Sequence, residues 1–173
     1  MNLLRQQFPE EVSHILAKYP PDQKASAIMP LLYLAQRRLD YINKSVMKDI
    51  AEICEVSATE VGSLVGYYSL YHDQPTGKYH LQVCTDLPCA LRGADQFLAG
   101  LCGRLGIQPG ETTPDGLITI EEVKCLAACD KAPMFQVQSG EGIAYHEKQT
   151  VETAMSLIED LRRQHAGEGA SNG

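Results

Sequence analysis

The sequence lacks any long apolar run. Its first residues, MNLLRQQFPEEV, do not contain the unbroken apolar stretch of a secretory signal peptide. No segment approaches the roughly 20 apolar residues needed to span a bilayer. We therefore expect a cytoplasmic protein without direct membrane insertion, in which the six cysteines are not paired as disulfides.

Several nucleotide and redox motifs are also missing. No GxGxxG follows a strand-like run, and no GKS or GKT occurs, so the chain is not expected to bind NADH or ATP itself. No CxxC occurs at a helix start, which argues against a dithiol oxidoreductase. The chemistry must therefore come from another arrangement of side chains.

Basic residues are scarce in the second half of the chain. Residues 80–173 carry thirteen acidic and seven basic side chains, and the whole chain has a net charge of −7. An acidic field repels phosphate backbones, so nucleic acid is not an expected partner.

Residues 1–77 show helical periodicity interrupted by stops. Pro9 opens one short helix, and the Pro20-Pro21 pair ends it. Ser45 is the expected cap of the helix VMKDIAEICEV, and Ser57 with Glu60 forms a capping box for the next one. We predict a helical domain over residues 1–77.

The apolar period changes to that of strands after residue 77. KYHLQVCT, LITIEEVKC, MFQVQ and GIAYHEK are predicted strands, and the last two should form a hairpin. A helix capped by Thr85 or Asp86 should run through LPCALRGADQFLAGLCGRLG, and Thr150 should cap a final helix. These elements predict an α/β domain over residues 78–165, with residues 166–173 as a disordered tail.

Four cysteines follow the strand-like runs directly. Cys84 and Cys89 stand in VCTDLPC, Cys125 and Cys129 stand in VKCLAAC, and 35 residues separate the pairs. If the fold brings both pairs to one rim, four thiolates can hold a [2Fe-2S] cluster, which is an electron-transfer site. Cys89 falls in the first turn of a predicted helix, where the positive dipole end favours a thiolate, and Lys131 should add a nearby positive charge.

Two different metal centres could use the same cysteines. A structural zinc also takes four cysteines, although zinc sites favour CxxC pairs. A Rieske cluster needs two histidines near the cysteines, whereas His80 lies four residues before Cys84 and no histidine follows until His146, so we do not expect mixed histidine ligation. Cys54 and Cys102 lie in helical runs without a partner at ligand spacing, so we expect them in the core.

The motifs around the cysteines resemble a known family. VCTDLPCALRGA, TPDGLITIEEVKCLAACDKAPMFQV and EVGSLVGYYSLYHDQPTGKYHLQVC are similar to the thioredoxin-like [2Fe-2S] subunit of respiratory complex I, the 24 kDa-type subunit of NADH:quinone oxidoreductase. The similarity covers about residues 8–162. It implies an N-terminal helical bundle followed by a thioredoxin-like [2Fe-2S] ferredoxin domain with a small mixed four-stranded sheet.

The resemblance also implies ligands and partners. Cys84, Cys89, Cys125 and Cys129 match the ligand positions of that family, while glycine is usual in the family where Ala127 stands here. The subunit would dock beside the flavin- and NADH-binding subunit, with FMN and NADH on that partner only, among the other subunits of the peripheral arm. The chain would be an electron carrier of a bacterial complex on the inner face of the plasma membrane.

Two rival functions follow from the same sequence. The nearer one is the equivalent small subunit of a soluble NAD-linked hydrogenase or formate dehydrogenase. The more distant one is a stand-alone thioredoxin-like ferredoxin or a zinc-stabilised interaction module, which the roughly 75 extra N-terminal residues disfavour.

Overall fold

The protein is described by a computed structural model that covers the backbone of residues 3–171 and the side chains of residues 3–167. The chain divides into two compact units, Met1–Pro75 and Thr76–Gly173. The division lies close to the boundary that the sequence places between residues 77 and 78. Each unit has its own apolar core.

The first unit is helical. Its core is formed by apolar side chains that all the helices contribute, among them the fully buried Leu4, Leu31 and Ile50. The helices are α1 (Leu3–Gln7), α2 (Pro9–Leu16), α3 (Ile28–Leu39), α4 (Lys44–Cys54) and α5 (Ala58–Tyr67), with a short 3-10 helix at Lys24–Ala27 before α3.

The caps of the helical unit agree only partly with the sequence analysis. Pro9 occupies the start of α2, and the hydroxyl of Ser57 accepts a hydrogen bond from the amide of Glu60, as predicted. The predicted cap of α4 was wrong: Asn43 rather than Ser45 caps this helix, and its side-chain oxygen accepts hydrogen bonds from the amides of Ser45 and Val46. Asparagine and serine are equally good caps, so composition alone did not separate them.

The second unit contains the predicted mixed four-stranded sheet. The strands are β1 (Tyr79–Cys84), β2 (Ile118–Val123), β3 (Phe135–Ser139) and β4 (Gly142–His146), in the spatial order β2-β1-β3-β4. β1 and β2 are parallel, whereas β1 with β3 and β3 with β4 are antiparallel. The predicted hairpin of the last two strands is confirmed.

Alternation along the strands separates two faces. Odd-numbered residues of β1 such as Leu81 and Val83 pack with Phe97 and Leu101 into the core. On the opposite face, side chains of β3, β1 and β2 form a polar chain, in which Gln136 donates to Gln82 and Gln82 donates to Glu121 at 2.7 Å. The central strand β1 therefore has one apolar and one hydrogen-bonded face.

The helix predicted after β1 is interrupted. It divides into α6 (Leu87–Ala90) and α7 (Ala94–Leu105), because Gly93 between them has φ of 90°, which a helix does not permit. The side chain of Asp86 caps α6, as expected. The final helix, α8, runs over Val151–Ser171, so the backbone of residues 166–171 is helical where the sequence analysis expects a disordered tail, and residues 172 and 173 lie outside the described residues.

Among the described residues, no helix combines the length and the apolar character needed to cross a membrane.

Candidate iron-sulfur site

Strand pairing places the two cysteine pairs at one edge of the sheet. Cys84 is the last residue of β1 and lies opposite Val123, the last residue of β2. The amide of Thr85 then donates to the carbonyl of Val123 at 2.9 Å, one residue beyond the end of β1. Because parallel strands end at the same edge, the segments that carry Cys89 and Cys125 leave the sheet side by side.

The thiols of the first pair are buried together, and Cys129 lies near them. Cys84 and Cys89 belong to one buried cluster, and the sulfur of Cys129 is close enough to act on the pKa of the Cys89 thiol. Cys84 and Cys89 are 2% and 1% exposed, Cys129 is half-buried, and Cys125 is exposed at the rim. The structure thus brings Cys84, Cys89 and Cys129 together and leaves Cys125 accessible on the neighbouring loop.

Small and apolar side chains surround the buried thiols. Ala94 and Met134, both fully buried, pack against Cys84 and Cys89. Leu126, Ala128 and Ala132 line the same cluster from the loop of the second pair. These side chains shield the sulfur atoms of Cys84 and Cys89 from water, whereas those of Cys125 and Cys129 remain accessible.

The acidity of Cys89 differs from the sequence expectation. Burial, together with the neighbouring sulfurs of Cys84 and Cys129, raises the pKa of Cys89 to about 12. Its amide already donates to the carbonyl of Asp86 at 2.8 Å, and α6 has only four residues. Burial and the neighbouring sulfurs therefore act against the thiolate that the sequence analysis expects at the start of this helix, and the stabilisation by the helix stays a prediction.

The loop of the second pair has an unusual backbone. Ala127 has φ of 56°, in the left-handed region that glycine adopts without strain. A 3-10 turn at Cys129–Lys131 follows, and a cis peptide bond at Ala132-Pro133 leads to β3. Alanine therefore stands at a position of this loop where glycine would be unstrained.

Hydrogen bonds fix this loop at several points. The hydroxyl of Tyr145 on β4 donates to the carbonyl of Leu126 at 3.3 Å. The guanidinium of Arg92 donates to the carbonyl of Asp130 at 3.0 Å, which links the segment after Cys89 to the residue after Cys129. Lys131, the expected positive charge, is 3.4 Å from Glu147 and is partly neutralised by it.

The site fits a [2Fe-2S] cluster by its donors and placement. Thiolates are the usual ligands of such clusters. All four cysteines lie at one sheet edge, beside the buried side chains of Ala94 and Met134. Within the described part of the chain, no three His, Cys, Asp or Glu side chains converge as ligands of one ion. The candidate ligands are therefore assigned from the position of the four cysteines and from thiolate chemistry, and not from side chains already arranged around one ion.

The remaining cysteines lie in the cores. Cys54 is 3% exposed in the helical unit, and Cys102 is 5% exposed on α7. The prediction that both contribute to core packing is confirmed.

Sequence reasoning missed the side chains that connect the two cysteine segments. The hydroxyl of Thr85 donates to the carboxylate of Glu122 at 2.6 Å, and Lys124 donates to that hydroxyl at 3.3 Å. Lys124 also pairs with Glu122. The sequence offered one signal for these contacts: Thr85 directly follows Cys84, and Lys124 directly precedes Cys125.

A family profile matches most of the chain. The profile is described as thioredoxin-like [2Fe-2S] ferredoxin and matches residues 12–162. The chain belongs to this family. The four cysteines at one sheet edge are therefore those of a member of the thioredoxin-like [2Fe-2S] ferredoxin family.

Relatives of this ferredoxin bear out the resemblance that its motifs indicate. The chain is 45% identical over 133 residues to "NADH-quinone oxidoreductase subunit 2" of Thermus thermophilus. This match covers 77% of this chain and 72% of the relative. It is 39% identical over 153 residues to an NADH-quinone oxidoreductase subunit of Rhizobium meliloti, and the match covers 88% of both chains. The similarity extends over both units of the chain.

Solved structures share the fold of the ferredoxin. An NAD+-reducing [NiFe]-hydrogenase in the air-oxidised state matches with a TM-score of 0.67 at 18% identity, over 84% of this chain and 24% of the hydrogenase chain. An NAD+-reducing [NiFe]-hydrogenase in the H2-reduced state matches with a TM-score of 0.68 at 18% identity, over 82% and 24%. At this identity the match establishes the fold alone.

Proposed function

We propose that the chain is the electron-transfer subunit of an NADH:quinone oxidoreductase of the complex I type, with one [2Fe-2S] cluster on Cys84, Cys89, Cys125 and Cys129. The observation that carries the proposal is the parallel pairing of β1 and β2, which ends both strands at the edge where all four cysteines stand. Membership of the ferredoxin family and the two oxidoreductase subunits among its relatives support it. The four thiolates would hold the cluster.

When bound, such a cluster accepts and returns single electrons. The chain's own residues hold it and keep water away. Met134 and Ala94 close the inner side, and the exposed Cys125 lies at the outer rim. The acidic charge of residues 80–173 disfavours addition of an electron to an anionic centre, so we propose a potential in the low part of the range for such clusters.

The proposed electron partner is a flavin- and NADH-binding subunit of the same complex. FMN and NADH would bind to that partner only, and the other subunits of the peripheral arm would complete the assembly. The proposed location is the cytoplasmic side of a bacterial plasma membrane, with attachment through the complex.

Purification of the tagged chain from its host tests this proposal. We expect a flavoprotein to co-elute, and NADH to bleach the visible absorption of the complex but not that of the isolated chain. Co-elution with hydrogenase or formate dehydrogenase subunits would favour the nearer rival. A colourless monomer, or bleaching of the isolated chain by NADH, would overturn the proposal.

A further inference from the structure

The hydroxyl of Thr85 bridges the two segments that carry the cysteines. Thr85 directly follows Cys84, and its side chain donates to the carboxylate of Glu122 at 2.6 Å. Lys124, the residue before Cys125, donates to the same hydroxyl at 3.3 Å. One buried hydroxyl thus connects the neighbour of a first-pair cysteine to the neighbour of a second-pair cysteine.

This bridge lies at the end of the paired part of the sheet: Glu122 is still in β2, whereas Thr85 and Lys124 follow the last paired residues of their strands. Regular pairing of β1 with β2 ends at Cys84 and Val123, and the amide of Thr85 makes one more backbone bond to Val123. Beyond this point one segment turns into α6 and the other enters the loop of Cys125. The thiol of Cys84 contacts the carbonyl of Lys124 only at 3.8 Å. The side-chain bridge at Thr85 joins the two segments directly beside Cys84 and Cys125, whereas Arg92 joins them further on, at Asp130.

The chemistry of the bridge makes it a strong contact. Thr85 is only 8% exposed, and its acceptor is an ionised carboxylate. The hydrogen bonds from Lys124 and Thr85 lower the pKa of Glu122, so this carboxylate is ionised at neutral pH. A hydrogen bond to a charged acceptor is shorter and stronger than a neutral one, and it fixes direction as well as distance.

We propose that Thr85 is a positioning residue whose hydrogen bonds with Glu122 and Lys124 set the separation of Cys84 and Cys125 for cluster binding. This inference rests on the proposed function, since it assumes that these cysteines hold a [2Fe-2S] cluster. It assigns to Thr85 no contact with the cluster itself. Its effect is on the sulfur positions, and therefore on how firmly the cluster is retained and on its spectrum.

A second buried threonine provides a matched control. Thr119 is 4% exposed, and its hydroxyl accepts a hydrogen bond from the amide of Gly77 at 2.6 Å. It lies near the start of β2, opposite His80, at the end of the sheet away from the cysteines. Thr119→Val therefore removes a comparable hydroxyl contact without touching the cysteine segments.

The experiment compares Thr85→Val, Thr85→Ser and Thr119→Val in the full chain with its cluster assembled. The readouts are the rate at which a chelator removes the cluster, followed by visible absorbance, and the g values of the reduced cluster in the EPR spectrum. We expect Thr85→Val to lose the cluster about tenfold faster than the wild type, which corresponds to about 1.4 kcal/mol, and to show shifted g values. Thr85→Ser should show the rate of cluster loss and the g values of the wild type. Thr119→Val should leave both quantities unchanged while lowering thermal stability.

A Thr85→Val variant with the loss rate and g values of the wild type would overturn the inference, as would equal changes in Thr119→Val. If Thr85→Val does not fold, Glu122→Ala removes the acceptor from an exposed position and should accelerate cluster loss in the same direction; no acceleration would count against the bridge. A wild-type chain that binds no cluster overturns the proposed function and this inference together. A wild type with a cluster and an unaffected Thr85→Val overturns the inference alone.

Discussion

Cys84 lies directly opposite Val123 in the parallel pairing of β1 with β2. This relationship converts a separation of 35 residues between the cysteine pairs into adjacency at one sheet edge. Two residues after Val123 the chain reaches Cys125, and α6 carries Cys89 next to Cys84. The sheet register is thus the geometric basis of the proposed cluster site.

The exposed Cys125 is the cleanest position for testing the ligand set. Because its side chain is exposed, Cys125→Ser should leave the fold intact and remove a ligand. We expect loss of the visible absorption of the cluster with an unchanged far-UV circular dichroism spectrum. Cys102→Ser is the control, since Cys102 packs in the core and should keep the visible spectrum at a stability cost of about 1 kcal/mol. Equal loss of absorption in both variants would refute the choice of ligands.

Ala127 holds a left-handed backbone conformation within the second cysteine loop. Its φ of 56° is strained for alanine by roughly 1 kcal/mol. We expect Ala127→Gly to raise the unfolding free energy of the protein by about 0.5 kcal/mol, because relief of strain exceeds the greater freedom of the unfolded glycine. The control is the adjacent Ala128→Gly, where φ is −131° and the same change should destabilise. Chemical denaturation measures the unfolding free energy of both variants. A change of the same sign in both would contradict the claim that the backbone of Ala127 is strained.

Asn43 is the cap of α4, and Ser45 is not. Asn43→Ala should lower the unfolding free energy by about 1 kcal/mol, because the amides of Ser45 and Val46 lose their acceptor. Ser45→Ala should change it much less. Thermal melts of the two variants decide between them, and a larger loss in Ser45→Ala would restore the sequence-based assignment.

Cys54 should make the stability of the helical unit depend on pH. Burial raises the pKa of Cys54 from 9.0 to about 11 in the folded protein. The thiol is therefore protonated in the folded chain at a pH where the unfolded chain has lost the proton. The resulting stabilisation, roughly 3 kcal/mol, is fully present below pH 9 and is lost as the pH rises to about 11.

The Cys54→Ala variant isolates this contribution. The wild type contains no tryptophan, so urea unfolding is followed by far-UV circular dichroism. The difference in unfolding free energy between the wild type and Cys54→Ala should narrow between pH 9 and pH 11. A constant difference over that range would show that the pKa of Cys54 is not raised.

The sequence was most informative about features that local signals determine, such as the periodicity of apolar residues and the turn residues between strands. The change from helical to strand periodicity near residue 77 and the hairpin of β3 with β4 could both be predicted, because alternation and turn residues are local signals. The burial of Cys54 and Cys102 followed from their place on apolar helix stripes. These features need no knowledge of tertiary pairing.

Features that depend on tertiary context could not be predicted in the same way. Gly93 interrupts a helix that its flanking residues favour, and a glycine in a helical pattern does not reveal its φ. The contact between Thr85 and Glu122 arises from strand register, which no local signal fixes. The raised pKa of Cys89 likewise comes from burial beside Cys84 and Cys129 rather than from its helix.

The most direct test of the account is an EPR spectrum of the dithionite-reduced protein, with iron, sulfide and zinc determined on the same sample. We predict the signal of a reduced [2Fe-2S] cluster, with iron and acid-labile sulfide in equal amounts and no stoichiometric zinc. An EPR-silent protein that contains one zinc ion per chain and no labile sulfide would show that the four cysteines do not hold a [2Fe-2S] cluster.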